Sequence, residues 1–276
     1  MSLLDNNVLE ITGLNVEYKV KRKIRQILSD ISMTAKASEI IAIMGPSGCG
    51  KSILLKNIAG ILNPTGGRRV ILGRDCTREV PIEIKEQIGF IYQDSNLLPW
   101  RSVYDNLKLP FEIFGKSKYD KIDTRISEAL EMVGLADYKQ ALPQELSGGM
   151  MQRVGIARAM VFKPQILLMD QPFGALDAIT RRKLRFDFLR IFEQAGPTIV
   201  IVTNSIDEAL LFASKVIVLG GMPGQIEEII DVPFPYAERT TEVAFDEKYT
   251  DLRKHMIDII SRQYREEKGH KHEPVS

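Results

Sequence analysis

Eight consecutive residues, Gly45-Pro46-Ser47-Gly48-Cys49-Gly50-Lys51-Ser52, satisfy the pattern G-x-x-x-x-G-K-[ST] at every fixed position. The flanks agree with it. Ile40-Ile41-Ala42-Ile43-Met44 is an unbroken apolar run of strand length, and Ile53–Ile61 carries apolar residues at helical spacing. A glycine-rich turn between a buried strand and a helix aims backbone N–H groups at one point, where the helix N-terminus adds partial positive charge. That arrangement holds the phosphates of a nucleoside triphosphate. Gly45 through Ile53 are therefore the candidate nucleotide-binding residues, with Lys51 on the β/γ-phosphates and the Ser52 hydroxyl offered to Mg²⁺. A chance glycine turn ahead of a helix would not bring strand, loop and helix into register.

Composition narrows the setting. The 276 residues are 44% hydrophobic and 26% charged with a net charge of +1, enough for one large globular domain or a domain with lobes. A near-zero charge gives no argument for nucleic acid. No apolar run approaches the roughly 18–20 residues that span a bilayer, so a membrane would be reached through a partner. Met1-Ser2-Leu3-Leu4-Asp5 does not read as a signal peptide. Cys49 and Cys76 form no metal-type spacing, and a reducing, cytosolic compartment is the simple expectation.

The segment Leu146-Ser147-Gly148-Gly149-Met150-Met151-Gln152-Arg153 opens an amphipathic stretch running to about Phe162. Ser147 can cap that helix, and the glycines let backbone approach a ligand closely. A second phosphate-seeking helix end thus follows the first by about a hundred residues. Downstream, Ile166-Leu167-Leu168-Met169-Asp170 is an apolar strand ending in a carboxylate suited to Mg²⁺ through water. With these segments the chain resembles the ATP-binding subunits of ABC transporters, over about residues 8 to 235. L-S-G-G is that family's signature, Gln93 in Phe90-Ile91-Tyr92-Gln93-Asp94 is similar to its Q-loop, Asp170 to its Walker B aspartate, and Ala175-Leu176-Asp177 to its D-loop. Tyr18 stands where the family has an aromatic that stacks on adenine, although a core tyrosine is a rival there.

The resemblance implies an α/β P-loop NTPase with a mainly parallel sheet core, an antiparallel β edge and a helical subdomain inserted at about 94–162. Short strands at Val8–Ile11 and Asn15–Tyr18, helical periodicity through 101–160, and strands at Ile166–Asp170, Thr198–Thr203 and Lys215–Leu219 agree with it. The basic run Lys19, Lys21, Arg22, Lys23, Arg25 reads as a solvated hairpin. The domain is expected to span 1–235. Residues 236–276 would form an extension with a helix at about Tyr249–Arg265 and a polar, disordered tail from Glu266, in which His270 and His272 are solvated.

Two places depart from the family. A glutamate that polarises the attacking water is expected after Asp170, and the residue is Gln171. An amide can orient water but cannot take its proton at neutral pH. Loss of a general base costs about 10²–10⁴ in rate. A histidine is expected after the next strand, in a stretch like V-T-H-D, and Val202-Thr203-Asn204-Ser205 stands there. Asn204 can hydrogen-bond a γ-phosphate but carries no charge. Ser205 replaces the acid that follows the histidine in that stretch. A single engineered replacement would alter position 171 alone; departures at 171, 204 and 205 together favour a naturally degenerate site.

By family resemblance the site is composite. One chain supplies the phosphate loop, Gln93, Asp170 and Asp177, and the facing chain supplies Ser147, Gly148 and Gly149. Gln93 and Ser52 would join Asp170 around Mg²⁺. The implied cofactors are ATP and Mg²⁺. The implied partners are a second ABC ATPase, with a heterodimer favoured over a homodimer, membrane permeases, and indirectly an extracytoplasmic solute-binding protein. The implied place is peripheral, on the cytoplasmic face of the membrane. Leu97-Leu98-Pro99-Trp100, Met150, Pro172–Ala178 and Met222-Pro223-Gly224-Gln225-Ile226 resemble the nitrate/sulfonate/taurine importer subgroup. A non-transport ABC protein, or an ATP-binding regulatory module without turnover, is the alternative.

Overall fold

The computed structural model describes residues 6–20, 23–115, 119–174, 177, 181–182, 184–185, 187–189, 196–234 and 246–270. The chain divides into two compact units, residues 1–79 with 200–276, and residues 80–199.

In the first unit β1 (Asn7–Val20) and β2 (Lys23–Lys36) form a long antiparallel hairpin. With β4 (Gly66–Ile71) and β5 (Arg74–Asp75) they make a sheet of order β2-β1-β4-β5. The sequence predicts two strands where β1 is one. Gly13 reads as a turn, yet it takes a φ of +58° inside the strand, at a register shift between Ile11 and Leu14, and its N–H donates to Ser32 Oγ at 2.9 Å. The expected hairpin is present, with Tyr18 opposite Arg25 and Lys19 opposite Ile24; Lys21 and Arg22 lie outside the described residues.

A second set of strands runs β10 (Gln225–Asp231), β9 (Lys215–Gly220), β3 (Ile40–Met44), β8 (Thr198–Val202). β3 and β9 are parallel, and β9 and β10 antiparallel. Every residue of β3 and of β8 is buried, as continuous apolar runs require when a sheet is covered on both faces. α1 (Lys51–Ile58) follows β3 directly. Its C-terminal end is gripped by the fully buried Arg69 of β4, whose guanidinium donates to Asn57 O, Leu62 O and Cys76 O. A cation at a helix C-terminus opposes the negative end of its dipole.

α6 (Ile206–Phe212) and α7 (Glu247–His270) complete this unit. α7 buries Met256 and Ile259 and ties back through Arg253–Asp207 and His255–Glu228. It runs five residues past the expected end at Arg265, so helix replaces the expected tail as far as His270. Residues 271–276, His272 included, lie outside the described residues, as do Pro235 and Tyr236 at the expected domain boundary.

The second unit holds the parallel pair β6 (Ile88–Ile91) and β7 (Ile166–Asp170), in register from Ile88 opposite Ile166 to Ile91 opposite Met169. Around them stand α2 (Ile82–Lys85), α3 (Val103–Phe114), α4 (Ile122–Met132) and α5 (Gly148–Met160). Ser102 caps α3 and Ser147 caps α5. Phe111, Phe114, Tyr119 and Phe162 cluster within this unit with centroid distances from 4.6 to 5.5 Å, edge to face except for the tilted pair Tyr119–Phe162. Among the described residues no helix is long and apolar enough to cross a membrane.

Candidate functional site

The phosphate loop leaves the buried end of β3 and enters α1 through three glycines with positive φ, Gly45 at +145°, Gly48 at +89° and Gly50 at +99°. A side chain at Gly45 would place its Cβ 2.2 Å from Leu219 O, and one at Gly50 would meet Leu28 Cδ2 at 2.5 Å. Gly224 presses the loop from another side, where a Cβ would lie 1.9 Å from Cys49 O. Steric walls thus hold the loop in one shape, and only glycine tolerates those dihedrals cheaply.

Lys51 is buried, and its ammonium donates to the loop's own carbonyls, Gly45 O and Pro46 O, both at 2.7 Å. A buried ammonium held by neutral carbonyls has a favourable exchange available when an anion arrives. Gly50 starts α1 without any side-chain hydrogen bond to its end, whereas Ser102, Ser147 and Ser205 cap the helices they precede. The residues present therefore fit a polyphosphate: glycine geometry, a resident cation and a helix end without its own cap.

Tyr18 lies on β1 near the hairpin end, half-buried rather than in the core, and burial pushes its phenol pKa up. Asn204 follows β8. The Thr203 N–H donates to Ile43 O at 3.1 Å, so Asn204 stands at the end of β3 from which the phosphate loop departs. Asn204 itself is exposed.

A small network that the sequence reading missed surrounds it. Ser205 caps α6 by accepting from the Glu208 N–H at 3.3 Å, Thr203 Oγ1 accepts from the Ser205 N–H at 3.1 Å, and the Thr203 hydroxyl donates to the buried Glu208 carboxylate. The Ser205-x-x-Glu208 spacing is the legible signal, a capping-box pattern. It changes the meaning of Ser205. Serine and aspartate are about equal as N-caps, so the missing acid leaves the turn after Asn204 intact.

In the second unit, Asp170 ends β7 and Gln93 lies two residues past β6, at the same end of the parallel pair. Gln93 is exposed, with Nε2 3.6 Å from where a Cβ on Gly174 would stand. Asp170 Oδ1 is buried and, among the described residues, accepts no hydrogen bond. A buried carboxylate oxygen without a donor is costly, and it is what a divalent cation or its water would satisfy, so the residue fits Mg²⁺. Gln171 takes a left-handed φ of +48°, and its carbonyl accepts from the Gly174 N–H at 3.0 Å. This turns the chain sharply after the strand, with an amide where a carboxylate is expected. Asp177 is exposed; Ala175 and Leu176 lie outside the described residues. Ser147 and Gly148 are exposed, and the Ser147 hydroxyl accepts from the Met150 N–H at 3.3 Å.

Comparison with known proteins agrees with this chemistry. The ABC transporter family model matches residues 28–174. The chain is 36% identical over 248 residues to the taurine import ATP-binding protein TauB of Roseobacter denitrificans, covering 90% of this chain and 88% of TauB. It is 35% identical over 254 residues to the aliphatic sulfonates import ATP-binding protein SsuB of Bacillus cereus, covering 92% and 96%. Against the nitrate import ATP-binding protein NrtC of Synechococcus elongatus the identity is 39% over 241 residues, which is 86% of this chain but only 36% of NrtC. The dimeric ATP-binding cassette MJ0796, solved in a post-hydrolysis state bound to ADP and Pi, superposes with a TM-score of 0.71 at 31% identity, covering 82% of this chain and all of the other. By its phosphate loop, its strand order and these matches, the chain belongs to the ABC transporter family of P-loop ATPases.

Proposed function

We propose that the chain is the ATP-binding subunit of an importer of the nitrate/sulfonate/taurine type, and that its own site binds Mg·ATP but hydrolyses it poorly. The observation carrying this is a pairing of opposites. The binding half is complete, from Gly45 to Ser52 with Asp170, and the hydrolytic half ends in two amides, Gln171 and Asn204. The loop backbone and Lys51 bind the phosphates, and Tyr18 stacks on the base. Ser52, Asp170 and Gln93 hold Mg²⁺, which would supply charge neutralisation on the phosphate oxygens. Gln171 orients a water without taking its proton, and Asn204 hydrogen-bonds the terminal phosphate without adding charge. Asp177 lies at the dimer face. The relatives named as taurine, sulfonate and nitrate import proteins support the importer class.

The chain docks peripherally on permease subunits at the cytoplasmic face, fed by an extracytoplasmic solute-binding protein. The ATPase domain takes residues 1–235, with 236–276 as its extension. Ser147, Gly148 and Gly149 are intact although the chain's own hydrolytic residues are not. In a composite dimer the signature serves the partner's nucleotide, so we assign a heterodimer in which the partner carries both glutamate and histidine. A reading as an ATP-binding module without turnover shares the first half of this account and differs in lacking transport.

The test is restoration. Gln171→Glu with Asn204→His in the purified chain is expected to raise its ATPase rate by about 10²–10⁴. A vigorous ATPase in the unaltered chain would overturn the impaired site. In the reconstituted complex, Ser147→Arg is expected to abolish turnover; full activity there, or a native assembly of two copies of this chain, would overturn the heterodimer.

A further inference from the structure

One arginine beside the phosphate loop has a partner far weaker than its chemistry allows. Arg25 stands on β2 directly opposite Tyr18 of β1, in a run of regular pairing from Glu17 opposite Gln26 to Val20 opposite Lys23. Residues opposite one another in an antiparallel pair project from the same face of the sheet. Arg25 is exposed, and its Nη2 donates to Met222 Sδ at 3.7 Å. Among the described residues the guanidinium has no other hydrogen-bond or ion-pair partner. A thioether is a weak acceptor, whereas a guanidinium is a fork of charge-assisted donors.

Met222 in turn leans on the phosphate loop. Its Cε lies 3.0 Å from where a Cβ on Gly48 would stand, and Gly48 is exposed. The main chain behind Met222 is fastened to β2. The Gly224 N–H donates to Ile27 O at 2.8 Å, and the Ser29 N–H donates to Gly224 O at 2.9 Å. The Met222 side chain thus bridges Arg25 to the outer rim of the loop that the phosphates would occupy.

We infer that Arg25 is a further nucleotide-binding residue, whose guanidinium leaves Met222 and donates to the α-phosphate. The order of parts along a nucleotide decides which group it meets. With the base on Tyr18 and the β/γ-phosphates on Lys51 and the loop, the ribose and the α-phosphate fill the interval between. Arg25 borders that interval beside Tyr18, and Met222 borders it beside Gly48. Of the two groups there, only the phosphate is an anion. The exchange is favourable, because a weak sulfur acceptor gives way to charged oxygens that match the planar fork. Met222 then remains as an apolar wall. This rests on the reading of Tyr18 and the phosphate loop as the nucleotide site.

Calorimetry on the full-length chain with Mg·ATP, Mg·ADP and Mg·GTP tests it. Arg25→Ala is expected to weaken all three by a similar factor, about tenfold, since each carries the same α-phosphate and loses the same charge-assisted bonds. Arg25→Lys should fall between, keeping the charge without the fork. Met222→Leu should bind as wild type, because the sulfur is given up on binding. Without nucleotide, Arg25→Ala should keep the wild-type unfolding midpoint, since an exposed bond to sulfur is all that it loses.

Wild-type affinity in Arg25→Ala, alongside a strong loss in Lys51→Ala, would overturn the role of Arg25 and leave the nucleotide site standing. A loss for ATP but not ADP would put the guanidinium on the γ-phosphate, and a loss for ATP but not GTP would put it on the base; either overturns the α-phosphate assignment. A loss in Met222→Leu as large as in Arg25→Ala would make the pair a fixed structural contact and overturn the exchange. If Lys51→Ala binds Mg·ATP as well as wild type, the nucleotide reading itself fails and the role of Arg25 falls with it.

Discussion

Two helices of this chain begin in glycine-bearing sequences that seek phosphate, and they begin differently. α1 rises from Gly50 in a left-handed conformation, with no side chain capping it and with Leu28 and Gly224 closing on the loop that leads into it. α5 rises from Ser147, exposed, with its hydroxyl already accepting from the Met150 N–H. The first end is a finished socket: its cation, its glycine dihedrals and its walls come from the same unit of one chain. The second is satisfied as it stands and gains a phosphate only if another molecule brings one. That contrast is what the proposed function requires, a binding loop that works alone and a signature that works in a pair.

Breaking the socket should have the largest effect. Lys51→Ala removes the buried ammonium and is expected to weaken Mg·ATP binding about 100-fold, or ~3 kcal/mol, by calorimetry. Gly45→Ala attacks the wall instead. Its methyl would meet Leu219 O at a φ of +145°, and thermal or denaturant unfolding should show a loss of ~2–4 kcal/mol. Ser147→Ala probes the other helix end. It should cost ~1 kcal/mol of stability as a lost N-cap and leave ATP affinity of the isolated chain unchanged; a fall in that affinity would erase the distinction between the two ends. The smallest effect belongs to a third helix end, that of α6. Ser205→Asp exchanges one good cap for another and should shift stability by no more than about 0.5 kcal/mol.

The parts legible in the sequence are those whose physics is local or one-dimensional. β3, β7, β8 and β9 were visible within a residue or two because they are buried on both faces and read as unbroken apolar runs. The Ser147 cap was visible because its chemistry lies within three residues. β2 and β10 were not. Lys23–Lys36 alternates Ile31, Met33 and Ala35 inward behind a basic half that reads as loop, and β10 loses its period at a register shift between Ile226 and Glu228.

The site divided in the same way. The phosphate loop, Asp170 and Gln171 announce themselves by pattern. The orphaned Asp170 oxygen, the retreat of Lys51 onto Gly45 and Pro46, and the Thr203–Glu208 contact behind Ser205 depend on packing that no spacing encodes. The network behind Ser205 also revises the weight of the departures from the family pattern. On the proposed function Gln171 and Asn204 alter what the site can do to a nucleotide, whereas Ser205 keeps the turn that presents Asn204.

The claim that this site holds ATP without consuming it is tested most directly by identifying the bound nucleotide. The purified chain is mixed with substoichiometric Mg·ATP carrying a radioactive γ-phosphate, separated from free nucleotide after several intervals, and its bound label resolved by chromatography. Intact ATP throughout is the predicted result, with ADP accumulating only when Gln171→Glu and Asn204→His are introduced together. ADP appearing in the unaltered chain as fast as in that double variant would contradict the account.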